Sequence, residues 1–385
     1  MDVLPLETQD GCDLLDPKER GTGFMADLTR KQVQAYLEYV LCEPVIVHNL
    51  TVLGRDREAG DIKGFGYGVP VKVEFQVKEE GRTAVLHTLS PGPFGHEHMA
   101  DRAQEMLWQH RAYNKLPRHV RSLDVCGFRP GNALLSLGTV NEFGLLTQYA
   151  DGHVYASDLE RIRDTGRCSA ADIARSDALC DYLAEIHRVP GTDPGLYVRR
   201  IRELIGHGQC IMGIVDSYPA HPLAPARLLK NIERLCLEWR WKLKGRTHRL
   251  RQVHGDFHPW NILFRPGIDF SVLDRSRGEY GDPADDVTSL TLNFVFFSLQ
   301  RSGRLEGDFE RLFCRFWQRY LERSGDAEIL QVAAPFFAFR GLVMASPVWY
   351  PAIPDLVRQK LLNFVVSVLE AGCFNPRKVN YYLGL

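Results

Sequence analysis

The chain has 385 residues, 45% of them hydrophobic and 25% charged, with a formal net charge of -1. That balance is typical of a globular protein with a sizeable core, and the near-zero charge argues against a nucleic-acid partner, which normally calls for a strong basic excess. The length exceeds that of one compact domain and points to two domains or one bilobal enzyme.

Cysteines at 12, 42, 126, 168, 180, 210, 236, 314 and 373 are scattered, odd in number and never in CxxC pairs, so they read as reduced thiols rather than a disulfide framework or a zinc ribbon. Asp2, Glu7, Asp10, Asp13 and Asp16 are incompatible with a secretory signal. The longest apolar runs, such as LTLNFVFFSL at 290–299, are about half of the ~20 residues that a membrane span needs. A cytoplasmic protein without membrane or nucleic-acid partners is the expectation; oligomeric state is not legible.

In chain order, residues 1–44 read as an extension with one helix, TRKQVQAYLEYVL (29–41), which opens on a threonine cap and carries apolar residues at helical spacing. From 45 to about 90 the texture changes to β-rich runs: VIVHNLTVLG, VPVKVEFQV and TAVLHTL, the last two joined by the turn KEEGR. A helix follows over 98–113, then two short strands around RSLDVCGF and FGLLTQYA. The segment LLTQYADG (145–152) joins this part to a mostly helical remainder, which includes a helix at DALCDYLAEIHRV (177–189). Residues 196–250, with Asp216 and Tyr218 among them, read either as part of an acceptor pocket or as a packing excursion.

Residues 254–261 read HGDFHPWN. A metal site through His254, Asp256 and His258 lacks the helical i,i+4 geometry of a zinc motif, because Pro259 forbids a helix through them. It also lacks the distal histidine of an iron triad, since His258 is the last histidine of the chain. Phosphoryl transfer fits better. A kinase catalytic loop places a metal-binding Asn five residues after the Asp that accepts the hydroxyl proton, and Asp256 and Asn261 stand at that spacing. NILF, the turn RPGI and DFSVLD then form a strand–turn–strand that returns Asp274 toward the loop as a second magnesium ligand. Upstream, KGFGYGVPVKVEF (63–75) puts Gly64, Gly66 and Gly68 ahead of an alternating strand. Glycines allow backbone amides to approach phosphates closely, although a glycine-rich hairpin turn has the same appearance.

The ordered combination HGDFHPWNILF, VLD and YGDPADDV resembles the aminoglycoside phosphotransferase and choline kinase-like family over roughly residues 50–345, most tightly at 250–290. The resemblance implies an α+β, protein-kinase-like two-lobed fold: a small β-rich N-lobe at 45–147 and a large helical C-lobe at 148–385. It implies ATP and Mg²⁺ as cofactors, and transfer of the γ-phosphate to a hydroxyl of a small molecule. Asp256 would be the catalytic base, Asn261 and Asp274 the magnesium ligands, Asp286 an acid bracing the loop, and His254 and His258 scaffold histidines. Gly64, Gly66, Gly68 and Gln148 would face the nucleotide.

One position departs from the pattern. His87 stands where the fold carries its ATP-pairing lysine, with Glu105 on the next helix as the candidate acidic partner. His87 could act as a protonated cation or be a neutral strand residue. Arg275 and Arg277 could stabilise the transferring phosphate or pair with Asp282, Asp285 or Asp286. Neither helical region is acidic, which counts against a polycationic acceptor and leaves sugars, nucleosides and anionic alcohols. A nucleotide-binding pseudokinase and a kinase-fold nucleotidyl transferase are the alternatives.

Overall fold

The computed structural model describes residues 28–53, 68, 70–92 and 95–384. The chain divides into two compact units, Met1–Leu146 and Thr147–Leu385.

In the first unit, helix α1 (Arg30–Leu41) begins at a capping box: the Gln32 amide donates to the Thr29 hydroxyl, and the Thr29 amide to the Gln32 side chain. The helix ends where Cys42 turns left-handed. Its inward face, Val33 and Leu37, is spaced one turn apart and packs on an antiparallel sheet of order β1-β2-β3, formed by Val45–Val52, Pro70–Val77 and Glu80–His87. Strand β2 alternates, burying Val71, Val73, Phe75 and Val77. Helix α2 (Met99–Tyr113) buries none of its side chains fully. A short ribbon of β4 (Cys126–Phe128) and β5 (Leu134–Ser136) follows.

The strand expected at FGLLTQYA does not form. Residues 141–150 have no regular structure, and Leu145 and Leu146 are almost wholly exposed, at 90% and 98%. Strand texture needs a partner edge to become a strand, and this segment pairs with none among the described residues.

The second unit is mainly helical around a small sheet of order β6-β8-β9 (His153–Val154, Ile262–Phe264 and Phe270–Val272), with a two-residue ribbon of β7 (Arg251–Gln252) and β10 (Tyr280–Gly281). Gly152 enters it at φ +149°, where a Cβ would lie 2.9 Å from the Phe264 carbonyl oxygen, so only glycine permits this approach. Helices α3 (Tyr155–Thr165) and α4 (Ala170–Ile186) follow. Helix α4 starts seven residues before the expected point, at the capping box Ser169–Asp172. The stretch 196–250 is ordered as α5 (Pro194–Gly206), α6 (Ile211–Asp216) and α7 (Ala226–Leu243). Helix α8 (Ala284–Ser302) contains the long apolar run and is buried all round through Leu299, the only environment outside a membrane that suits such a sequence. Helices α9 (Gly307–Ser324), α10 (Ile329–Val332), α11 (Ala334–Ala345), α12 (Asp355–Ala371) and α13 (Val379–Tyr382) complete the unit. Among the described residues no helix is long and apolar enough to cross a membrane.

Candidate active site

The loop HGDFHPWN is held at its N-terminal end by Asp286, in the first turn of α8. Its two oxygens accept from the amides of His254 (2.8 Å) and Gly255 (2.7 Å). His187 Nε2 donates to the same carboxylate at 3.1 Å, and its Nδ1 hydrogen-bonds with the Tyr320 hydroxyl at 2.8 Å. Asp286 is fully buried. Burial opposes its charge, but His187 and the backbone donors outweigh that and hold the carboxyl below its ordinary value. Gly255 takes φ +84°, and a Cβ there would press on the Arg277 Cβ at 3.2 Å. The buried His254 ring accepts from the Asp256 amide at 3.3 Å.

These contacts turn the Asp256 side chain toward α11. One of its oxygens pairs with Arg340, whose guanidinium also donates to the Gly255 carbonyl and to Asp285, both at 3.1 Å. Burial raises the Asp256 pKa, but Arg340 and then Arg277 pull it down further, so the carboxyl stays below its usual range and is ionised at neutral pH. Its other oxygen lies 3.7 Å from His258 Nε2. Burial, opposed by Asp256 and reinforced by Arg340, depresses His258 to about 4, so the ring is neutral at pH 7.

Asn261 closes a short 3-10 turn, Pro259–Asn261, and its side chain donates to the Asp256 carbonyl at 3.1 Å. The β8–β9 hairpin pairs Ile262 with Val272, and the Leu273 amide donates to the Asn261 carbonyl at 2.8 Å. That register brings Asp274, exposed and left-handed at φ +55°, to the end of the hairpin where Asn261 stands. An amide oxygen and a carboxylate are hard donors of the kind that magnesium takes.

The two arginines after Asp274 separate. Arg275 spends Nε and Nη2 on the carbonyls of Val253 and Glu279, at 2.8 to 3.0 Å. Arg277 lies over the Phe339 ring at 4.6 Å, with Nη1 3.5 Å from the Cys210 sulfur.

Of the residues expected to face a nucleotide, Gly64 and Gly66 lie outside the described residues. Gly68 is confined sterically: a Cβ there would lie 1.7 Å from the Thr88 carbonyl oxygen. His87 ends β3, exposed and opposite Pro70, and forms no hydrogen bond or ion pair among the described residues. Glu105 is not its partner. One oxygen of Glu105 is 2.6 Å from His96 Nε2 and the other accepts from Gln109 at 2.9 Å. His96 lies three residues before the start of α2 and satisfies the carboxylate locally. Gln148 is exposed in the irregular segment 141–150.

Sequence reasoning missed Arg340 and the part played by His187. Arg340 has a signal: it is the lone charge in the apolar helix APFFAFRGLVMA, where a buried guanidinium demands a partner.

The model of the APH phosphotransferase enzyme family matches residues 75–323. The chain belongs to this family and is an enzyme of the small-molecule kinase class. Among solved structures, a Plasmodium vivax ethanolamine kinase is similar at 14% identity and TM-score 0.35, over 94% of this chain and 95% of that one. Amicoumacin kinase hAmiN, in complex with AMP-PNP, Ca²⁺ and Ami, is similar at 13% identity and TM-score 0.41, over 93% and 99%. A macrolide 2'-phosphotransferase type I follows at 14% and 0.30, over 90% and 99%. No curated protein matches the chain in sequence.

Proposed function

We propose that the protein transfers the γ-phosphoryl group of ATP to a hydroxyl of a small molecule, with magnesium as the metal. The observation that carries this reading is the double tether of the loop: Asp286 holds its start through two amides, and the Leu273–Asn261 bond ties its end to the hairpin that bears Asp274. Asn261 and Asp274 would hold the metal. Bound magnesium would neutralise charge on the nucleotide phosphates.

Asp256 orients the acceptor hydroxyl and takes its proton on the oxygen that Arg340 leaves open. Arg340 keeps that carboxylate ionised and aimed. Arg275 braces the loop through Val253 rather than reaching a phosphate. Gly68, with Gly64 and Gly66, and His87 and Gln148 form our proposed nucleotide-facing set; Glu105 serves it only indirectly, through His96. In this assignment residues 45–147 form the nucleotide lobe and 148–385 the lobe with the base and acceptor site.

The test is the melting temperature with ATP, with and without magnesium. Nucleotide should stabilise the wild type much more with magnesium than with EDTA, and Asp274→Ala should abolish that difference. A magnesium-dependent shift that survives intact in the variant would remove Asp274 from the site.

A further inference from the structure

The acids of the surrounding network all have other ion-pair or hydrogen-bond partners; Asp256 and Asp285 feel the Arg277 charge, but no salt bridge joins either to it among the described residues. Asp282 accepts from Arg249 and from the Tyr197 hydroxyl. Asp285 and Asp256 are held by Arg340, and Asp286 by His187 and two loop amides. Glu203 is shared by Arg199 and Arg200. Arg277, only partly exposed, is left with a sulfur and a phenyl ring, and no carboxylate pairs with it among the described residues. A half-buried guanidinium without a direct ion pair gives up hydration for only a longer-range attraction to Asp256 and Asp285.

Its position is specific. Phe339 carries the Arg277 guanidinium at 4.6 Å from the ring centre and the Arg340 guanidinium at 4.7 Å. Arg277 therefore stands one phenyl ring away from the group that grips Asp256. A third cation adjoins them: a Cβ built at Gly255, Gly278 or Gly281 would lie 3.8 Å from the Arg200 guanidinium. Arg277 contacts Cys210, just before α6, and Phe339 of α11, and neither segment bears a proposed metal ligand.

We infer that the acceptor is an anionic alcohol, and that Arg277 binds its carboxylate or phosphate group while the hydroxyl lies at Asp256. This rests on the kinase reading above and narrows its substrate class. A planar guanidinium already placed over an aromatic ring offers its remaining donors in a fork suited to an oxyanion. It needs little ordering on binding.

The test titrates inorganic phosphate against the full chain, followed by thermal stabilisation, with and without saturating magnesium AMP-PNP. Arg277→Met keeps the side chain's bulk on Phe339 and removes the charge. It should weaken phosphate binding roughly 10–100-fold, and equally with AMP-PNP bound. Arg277→Lys, which keeps the charge and loses the fork, should fall in between, and it carries the comparison should the methionine variant not fold. Equal phosphate binding by wild type and variant, or none by wild type, overturns the inference. So does an Arg277 dependence that disappears once AMP-PNP is bound, because the guanidinium would then serve the nucleotide's phosphates. Failure of AMP-PNP to bind at all would sink the kinase reading instead, and the nucleotide-free titration would still decide the role of Arg277.

Discussion

Two buried arginine–aspartate networks flank the segment YGDPADD, and they differ in how completely they are satisfied. In the first, Arg249 forks onto Asp282 with two bonds of 2.8 Å and onto Asp326 at 2.7 and 3.0 Å. Asp282 also takes the Tyr197 hydroxyl and the Ala284 amide. Every nitrogen of that guanidinium is bonded. In the second, Arg340 holds Asp256, Asp285 and a carbonyl, but its Nε has no partner, and the second Asp256 oxygen has only a neutral imidazole at 3.7 Å. Identical chemistry thus produces a closed strut in one place and an open, charged site in the other. Full satisfaction rigidifies, whereas vacant valences near a surface leave room for a ligand.

Removing the proposed base should have the largest effect. Asp256→Asn keeps shape and loses the carboxylate, so kcat should drop roughly 10²–10⁴-fold while magnesium-dependent ATP binding survives. Retention of most of the phosphorylating activity would remove Asp256 from the chemistry and undo the contrast at its functional end.

Arg249→Met should act on stability instead. It strands Asp282 without its buried counter-ion, which costs about 3–5 kcal/mol, read by urea denaturation. Turnover per folded molecule should change little. A large loss of kcat in folded protein would show that the closed network also serves catalysis.

Arg340→Met should behave differently from Arg249→Met. Asp256 loses the largest of the charges that oppose its burial, so its pKa rises. Below the raised value the base is protonated, so the acid limb of the kcat profile should move to higher pH. An unshifted limb would mean that Arg340 does not set the charge of the base. The smallest effect concerns His258, neutral in the folded state and depressed to about 4. Between its ordinary value near 6.5 and about 4, the unfolded chain binds the proton and the folded one does not. Stability should therefore fall as pH drops through that window, by up to about 3 kcal/mol. His258→Asn should remove that component; identical pH dependence in both proteins would refute the assignment.

Much of the site was legible because its chemistry is encoded at short range. Asp256, Asn261 and Asp274 lie within nineteen residues of one another, so strand pairing alone fixes their order. The Asp286 clamp reaches 32 residues in sequence, and there the resemblance in GDPADD supplied what spacing could not. Arg340 comes to Asp256 from 84 residues away, and His187 to Asp286 from 99; no local pattern ties such partners together. Glu105 misled for the opposite reason. It lies at the expected place on the expected helix, but His96, nine residues away, satisfies it first.

By itself, then, the sequence determined the phosphotransferase family and the strand–turn–strand between Asn261 and Asp274, because turn residues and close spacing act along the chain. Only the tertiary structure decided which charges are spent and which are free. Asp282, Asp285 and Asp286 are equally plausible partners for Arg277 in one dimension, and the fold gives them to Arg249, Arg340 and His187. The competition among ion pairs is settled by helix packing across the chain, and the cation it leaves without a salt bridge among the described residues is the one we assign to the acceptor.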